Sequence, residues 1–259
     1  MKFLVANDDG IFAPGIKMLA ETLAPFGTVA VVGPTEEQSG MGHAITVHRP
    51  LRVQAVDVIP QSAKSFTVDG TPADCVKMAV QGLGLTPDIV MAGINLGSNL
   101  GTDVLYSGTV SAAMEGVILG IRAIAVSLCG PQTYLSTAGH YVRKILLEDP
   151  GILNQPNLIP QDGLLNINIP AVPIEEVKGI RVTRLGVRKY ENLFEKRVDP
   201  RGNTYFWMGG KPQLTESSDL DIDIVAVEQG YVSITPIQFD LTYHSLVDGL
   251  QTILNKEYI

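Results

Sequence analysis

The stretch Asp88-Ile-Val-Met-Ala92 runs into Gly93-Ile-Asn-Leu-Gly-Ser-Asn-Leu-Gly101, then a helical pattern over Val110–Leu119 and a second apolar run over Ala123–Ser127. A short apolar run, a glycine-rich loop, a helix and another short apolar run form a βαβ unit with two parallel strands. The alternation continues outward on both sides. Before it come a strand over Phe3–Ala6, a helix over Gly15–Leu23, a strand over Val29–Val32 and a helix over Pro72–Leu83. After it come a helix over Ala138–Leu147 and a strand over Leu164–Ile169. This pattern predicts an α/β fold: a Rossmann-like, three-layer parallel sheet with helices on both faces. Residues 45–69 interrupt it with three further extended segments, Ile45–His48, Leu51–Val53 and Ser65–Val68.

The character of the chain changes near residue 185. Lys189–Asp199 is highly charged, Asp199-Pro-Arg-Gly202 is a turn signal, and Tyr205-Phe-Trp207 follows. The expected organisation is a catalytic core over 1–184 and an appendage over 185–259. The appendage should hold an extended arm, a β-hairpin and a terminal helix over Leu246–Ile253, with Asp223–Val227 and Tyr231–Thr235 as strands joined at Gly230. Its apolar and aromatic residues are more than a small appendage can bury, which points to a second copy of the chain and a homodimer.

Composition narrows the function. With 19 Lys+Arg against 27 Asp+Glu the net charge is -8, so no overall basic field gathers a nucleic-acid polymer. No apolar run reaches the ~18 residues of a membrane span, and the chain opens without a signal-peptide core. The expected location is the cytoplasm. Cys75 and Cys129 lack metal-motif spacing and read as reduced small residues.

In open parallel sheets ligands bind beyond the carboxyl ends of the strands, and three such loops are unusual here. The first strand ends in Asn7-Asp8-Asp9-Gly10, where a dinucleotide-binding protein carries glycines against a pyrophosphate. Two carboxylates repel a bare phosphate, but a divalent cation reverses the sign and bridges them to it. The competing reading is a polar turn that caps the next helix. The second loop, Gly93–Gly101, offers neutral oxygens from Asn95 and Asn99. In the third, Tyr106-Ser-Gly-Thr-Val110 starts a helix, where free N–H groups, the dipole and two hydroxyls suit a phosphate, with Gly108 leaving room for its approach. Simple N-capping is compatible with that role. Ser39, in the loop Gly33–Gly42, completes an all-oxygen candidate set with Asp8, Asp9 and Asn95 that suits Mg²⁺ or Mn²⁺ better than Zn²⁺. His43, His48, His140 and His244 have no ligand spacing and read as structural or surface residues, His43 being set apart by lying four residues past Ser39.

Asn7-Asp-Asp-Gly10, Gln38-Ser-Gly40, Gly70-Thr-Pro-Ala-Asp-Cys75, Gly93-Ile-Asn95 with Asn99-Leu-Gly101, and Tyr106-Ser-Gly-Thr109 resemble the SurE survival-protein family of 5′/3′-nucleotidases. Leu165-Asn-Ile-Asn168, Asp199-Pro-Arg-Gly-Asn203 and Gly230-Tyr-Val-Ser-Ile-Thr-Pro236 extend the likeness across nearly the whole chain. The resemblance implies a phosphomonoesterase acting on nucleoside monophosphates and on short polyphosphate, with a divalent metal on Asp8, Asp9, Ser39 and Asn95. It implies that Asn99, Ser107, Gly108 and Thr109 surround the phosphate, and that the C-terminal segment is exchanged within a dimer able to pair into a tetramer. Metal-activated water is the expected nucleophile, with Asp9 or Asp8 as a base, and direct attack by an Asp stays open.

Two rivals fit less well. An aspartyl-phosphate phosphatase needs an Asp two positions past its nucleophile, where this chain has Gly10 and Ile11. A phospho-receiver domain needs an Asp and a Lys where this chain offers Asn95 and Ser127-Leu-Cys129.

Overall fold

The structure is a computed structural model that describes residues 1–60, 64–148, 151–191, 194–213 and 217–257. The strands are β1 (Lys2–Ala6), β2 (Thr28–Pro34), β3 (Val53–Ala55), β4 (Lys64–Val68), β5 (Ile89–Leu96), β6 (Arg122–Cys129) and β7 (Gly163–Pro170). They continue with β8 (Ile180–Val182), β9 (Tyr190–Glu191), β10 (Phe194–Val198), β11 (Thr204–Met208), β12 (Lys211–Pro212) and β13 (Val232–Gln238). The α-helices are α1 (Pro14–Leu23), α2 (Pro72–Lys77), α3 (Gly108–Ile118), α4 (Leu135–Val142), α5 (Asp223–Glu228) and α6 (His244–Glu257). The helical patterns read over 72–83 and 138–147 are each completed by a wider π-helical turn, Met78–Gly82 and Arg143–Leu147.

Nine strands form one sheet in the order β3-β4-β2-β1-β5-β6-β7-β13-β8. From β4 to β7 every pairing is parallel, while β3 and β13 run antiparallel to β4 and β7. Chain order reverses at β1: β2 lies on one side of it and β5 on the other. That makes the β1/β5 boundary the topological switch point, where the two outgoing loops diverge and leave a crevice.

Alternation along the strands builds two cores. Phe3 and Val5 of β1 with Ile89 and Met91 of β5 pack under α1 and α4, joined by Ile16, Leu19, Ala138 and Val142. The intervening Leu4, Ala6, Val90 and Ala92 pack on the other face against Cys75 and Val76 of α2 and Val110 and Ala113 of α3. Both faces are covered, which is why these strands are continuously apolar rather than alternating. The fold is the expected three-layer α/β arrangement. Cys75 is buried and Cys129 half-buried, both as free thiols that burial pushes up, Cys129 to about 12.

Three local expectations are corrected. Asp223–Val227 is helical, not a strand: Asp223 is buried, and its carboxylate accepts from the backbone N–H groups of Gly101, Gly186 and Ile224. Those tertiary contacts outweigh the strand preference of Ile-Val-Ala-Val. Ile45–His48 forms no strand, because Thr46 N–H is taken by the Asp74 carboxylate at 3.0 Å and Val47 is exposed. The strand expected at Leu51–Val53 lies instead at Val53–Ala55.

Beyond β8 the chain forms a two-stranded hairpin, β10–β11, whose residues are all exposed, including Phe206 and Trp207. The short pair β9–β12 closes its base. Residues 192–193 and 214–216 of the expected arm lie outside the described residues. Leu246, Leu250, Ile253 and Leu254 of α6 are exposed. Among the described residues no helix is long and apolar enough to cross a membrane.

Candidate active site

Asp8 and Asp9 leave the carboxyl end of β1 at the switch point. Buried Asn7 closes their turn by donating Nδ2–H to the Gly10 carbonyl at 2.7 Å. Gly10 sits at φ +102°, a left-handed conformation that a side chain disfavours. Asp8 is 4% exposed and accepts a short hydrogen bond from the Thr109 hydroxyl. Asp9 is half-buried and accepts from Leu96 N–H at 3.2 Å, one residue past Asn95.

The electrostatics of the pair are unfavourable by themselves. Burial, reinforced by the neighbouring Asp9 charge, pushes the Asp8 carboxyl from 3.8 up to about 6 against the pull of Thr109. Asp9 is raised by burial and by Glu37, with the Leu96 N–H opposing. Neither acid has an ion-pair partner among the described residues. Two adjacent acids raised by burial and by neighbouring negative charge, with no basic side chain paired to them among the described residues, are a perturbed pair of the kind that clusters at functional sites.

The helix start faces them. Ser107 is the N-cap of α3, its Oγ accepting from Val110 N–H at 3.0 Å, while Ser111 Oγ donates to the Ser107 carbonyl at 2.6 Å. A Cβ at Gly108 would lie 2.7 Å from Asp8 Cβ and 2.8 Å from its Oδ2. Gly108 is thus needed so that the helix can approach Asp8 closely, a reason different from room for an incoming phosphate.

The other expected residues are placed less uniformly. Gln38 N–H donates to the Asp8 carbonyl at 2.8 Å, which brings the loop of Ser39 to the site. Ser39 itself is exposed and donates to Glu37 at 2.7 Å. Asn95 is buried, its Nδ2 donating to the Gly97 carbonyl at 2.8 Å. Asn99 is turned toward the end of β6 and donates to Ser127 Oγ at 2.8 Å. Its backbone is clamped from β7: Asn168 Oδ1 accepts its N–H, and Asn166 and Asn168 both donate to its carbonyl. The sequence reading gave those two buried asparagines no role, although two Asn alternating in an otherwise apolar strand are a signal of such a clamp.

Among the described residues no three His, Cys, Asp or Glu side chains form one cluster. Any cation held by Asp8 and Asp9 would need neutral oxygens to complete it, which Ser39 and Asn95 can supply. That donor chemistry fits a hard divalent ion.

The fold and this edge define a class: a doubly wound α/β protein with paired carboxylates and a helix N-terminus facing one another at the switch point. A profile described as Survival protein SurE matches residues 3–192, and the chain belongs to that family. A 5'-nucleotidase SurE of Carboxydothermus hydrogenoformans is 50% identical over 259 residues, covering 97% of this chain and 96% of that protein. Its counterpart in Thermosynechococcus vestitus, also named 5'-nucleotidase SurE, is 47% identical with 98% of each covered. The crystal structure of SurE from Aquifex aeolicus superposes with a TM-score of 0.78 at 40% identity, covering 98% of this chain and 99% of that one.

Proposed function

We propose that this chain is a metal-dependent nucleotidase that hydrolyses nucleoside 5′- and 3′-monophosphates to nucleoside and phosphate, with short polyphosphate as a further substrate. The nucleotidase class rests on relatives near 50% identity over almost the full length that carry that name. The observation that carries the metal dependence is the pair of buried Asp8 and half-buried Asp9, short of positive charge and set against the first turn of α3.

Asp8, Asp9, Ser39 and Asn95 would hold Mg²⁺ or Mn²⁺. When bound, such an ion supplies Lewis-acid charge to a phosphoryl oxygen. The chain's own part is orientation. N–H groups at the Ser107–Gly108–Thr109 helix start bind the phosphate oxygens, Thr109 fixes the Asp8 carboxylate, and Asn99 holds the adjoining loop in place. Asp9, the more exposed acid, is placed to take a proton from an attacking water.

The assembly we propose is a cytoplasmic homodimer that exchanges its 185–259 segment and can pair into a tetramer. The exposed apolar residues of β11 and α6 support it, since a partner would cover them. Phosphate release from a panel of nucleoside 5′- and 3′-monophosphates with Mg²⁺, Mn²⁺ or excess chelator tests the function. Activity confined to the metal-containing wells is expected, and full turnover in chelator would overturn it.

A further inference from the structure

Behind the candidate site, and used by none of the chemistry above, lies another buried acid. Glu115, on α3, is 2% exposed, and its two oxygens are divided between two partners. Oε1 accepts from Lys77 Nζ of α2 at 2.5 Å, and Oε2 meets His43 Nε2 at 2.9 Å. Burial raises this carboxyl, but the His43 and Lys77 contacts together outweigh burial and hold it below the ordinary range. Glu115 is thus ionised and can only accept, so His43 donates through Nε2.

We propose that Glu115 and His43 form a clamp that positions the Ser39 loop over Asp8; His43 and Glu115 are positioning residues. The assignment of Ser39 to the site rests on the function proposed above, whereas the clamp itself rests on the contacts alone. The segment is fastened on both sides of Ser39. Before it, Gln38 N–H holds the Asp8 carbonyl at 2.8 Å. After it, Gly42 N–H holds the Tyr106 carbonyl at 3.0 Å, at the approach to the α3 start. Immediately beyond His43, Thr71 Oγ1 donates to the Ala44 carbonyl at 2.6 Å and Asp74 accepts from Thr46 N–H at 3.0 Å. Ser39 is exposed and bonded within its own loop to Glu37, so nothing in its side-chain contacts fixes it relative to Asp8. The flanking contacts must do so. Of these, His43–Glu115 and Thr46 N–H to Asp74 are contacts to buried carboxylates, the strongest kind of hydrogen bond in the set, and the first ties the loop to the same helix whose first turn faces Asp8. Lys77 provides the charge that lets Glu115 stay ionised in the interior.

The test is hydrogen exchange on the full-length protein, with Mn²⁺ affinity by calorimetry beside it. His43 is part-exposed, with 31% of its side chain accessible, so His43→Ala can be made without opening the core. In that variant exchange at the Gln38 and Gly42 amides should accelerate at least about tenfold, the lower end of what loss of one hydrogen bond to a charged group corresponds to. Amides of α1 and α4 on the opposite face should keep their protection. Mn²⁺ affinity should fall several-fold, and His43→Gln, which restores a donor, should recover most of both effects. Unchanged exchange at Gln38 and Gly42 overturns the clamp, as does a fall in thermal stability with loop exchange and Mn²⁺ affinity unmoved. Accelerated loop exchange in a protein whose wild type binds no Mn²⁺ and releases no phosphate would leave the clamp standing and overturn the proposed function instead.

Discussion

Asp8 and Glu115 are both almost fully buried carboxylates beside α3, at 4% and 2% exposure, yet their environments push them in opposite directions. Glu115 is answered by Lys77 and His43 and is held below its ordinary range. Asp8 receives one hydroxyl hydrogen bond, faces another acid and is pushed to about 6. A buried charge costs several kcal/mol unless paired, so the fold completes the Glu115 site and leaves the Asp8 site incomplete. On the function proposed above, the difference separates a structural acid from a metal-binding one.

The largest expected effect comes from removing the Asp8 charge. Asp8→Asn keeps an oxygen for Thr109 but should cut phosphate release at least about a hundredfold, the scale of losing a key electrostatic contact in a transition state. In chelator the same variant should be more stable than wild type at pH 7.5. A carboxyl raised from 3.8 to about 6 favours the folded state while protonated and loses that contribution as pH rises through about 6. The charged form then costs up to roughly 3 kcal/mol. Thermal unfolding in chelator checks this, and a lower midpoint for Asp8→Asn would erase the distinction between the two acids.

Next in size is Gly108→Val. If Gly108 only left room for an incoming phosphate, this change would block substrate while sparing the metal, but the space its Cβ would enter already holds Asp8 at 2.7 Å and Pro72 Cγ at 3.0 Å. The variant should therefore lose Mn²⁺ affinity together with activity, each by about tenfold or more, as expected where ligand geometry is disturbed. Normal Mn²⁺ binding by calorimetry would return Gly108 to a purely phosphate-facing role.

On the Glu115 side, Lys77→Met should destabilise the protein by about 2 kcal/mol at pH 7, because a buried carboxylate loses its charge partner while part of that loss is screened at the half-exposed lysine. The pH dependence has the opposite sign to that of Asp8. A carboxyl held low contributes stability above its unfolded value and loses it as pH falls, so the gap between wild type and Lys77→Met should narrow toward acid. Urea unfolding at pH 7 and at about pH 4.5 measures it.

Much of this contrast was legible in the sequence on one side only. Asp8, Asp9 and Asn95 stand at strand ends, where chain order and the rule for open sheets locate ligands. The partners of Glu115 come from sequence separations of 38 and 72 residues, which no local pattern links. The same limit explains Asp223, whose helix is fixed by the Gly101 and Gly186 amides far away in the chain, and the clamp on Asn99 by Asn166 and Asn168. Periodicity reported the central sheet because its strands are buried on both faces. It misread 45–48, where the distant Asp74 carboxylate takes the Thr46 N–H, and 223–227, where the Asp223 carboxylate takes the N–H groups of distant Gly101 and Gly186.

The smallest effect is the most specific to the Asp8 side. Thr109→Ala removes the one hydroxyl that lowers the Asp8 carboxyl against its burial, while the backbone donors of the helix start remain. The loss should be roughly 0.5–1.5 kcal/mol of transition-state stabilisation, at most about 3 for a bond to a charged group, and so smaller than that of Asp8→Asn. Because the hydroxyl favours the ionised acid, its removal should raise the Asp8 carboxyl further. In the metal-free protein the decline in stability with rising pH should then still begin near the unfolded value of 3.8 but extend to higher pH and be larger than in wild type. Thr109→Ser restores the hydroxyl and should return the profile to its original position. A Thr109→Ala protein whose stability profile in chelator superposes on that of wild type would mean that Thr109 does not set the charge state of Asp8. The contrast with Glu115 would then rest on burial and the neighbouring Asp9 alone.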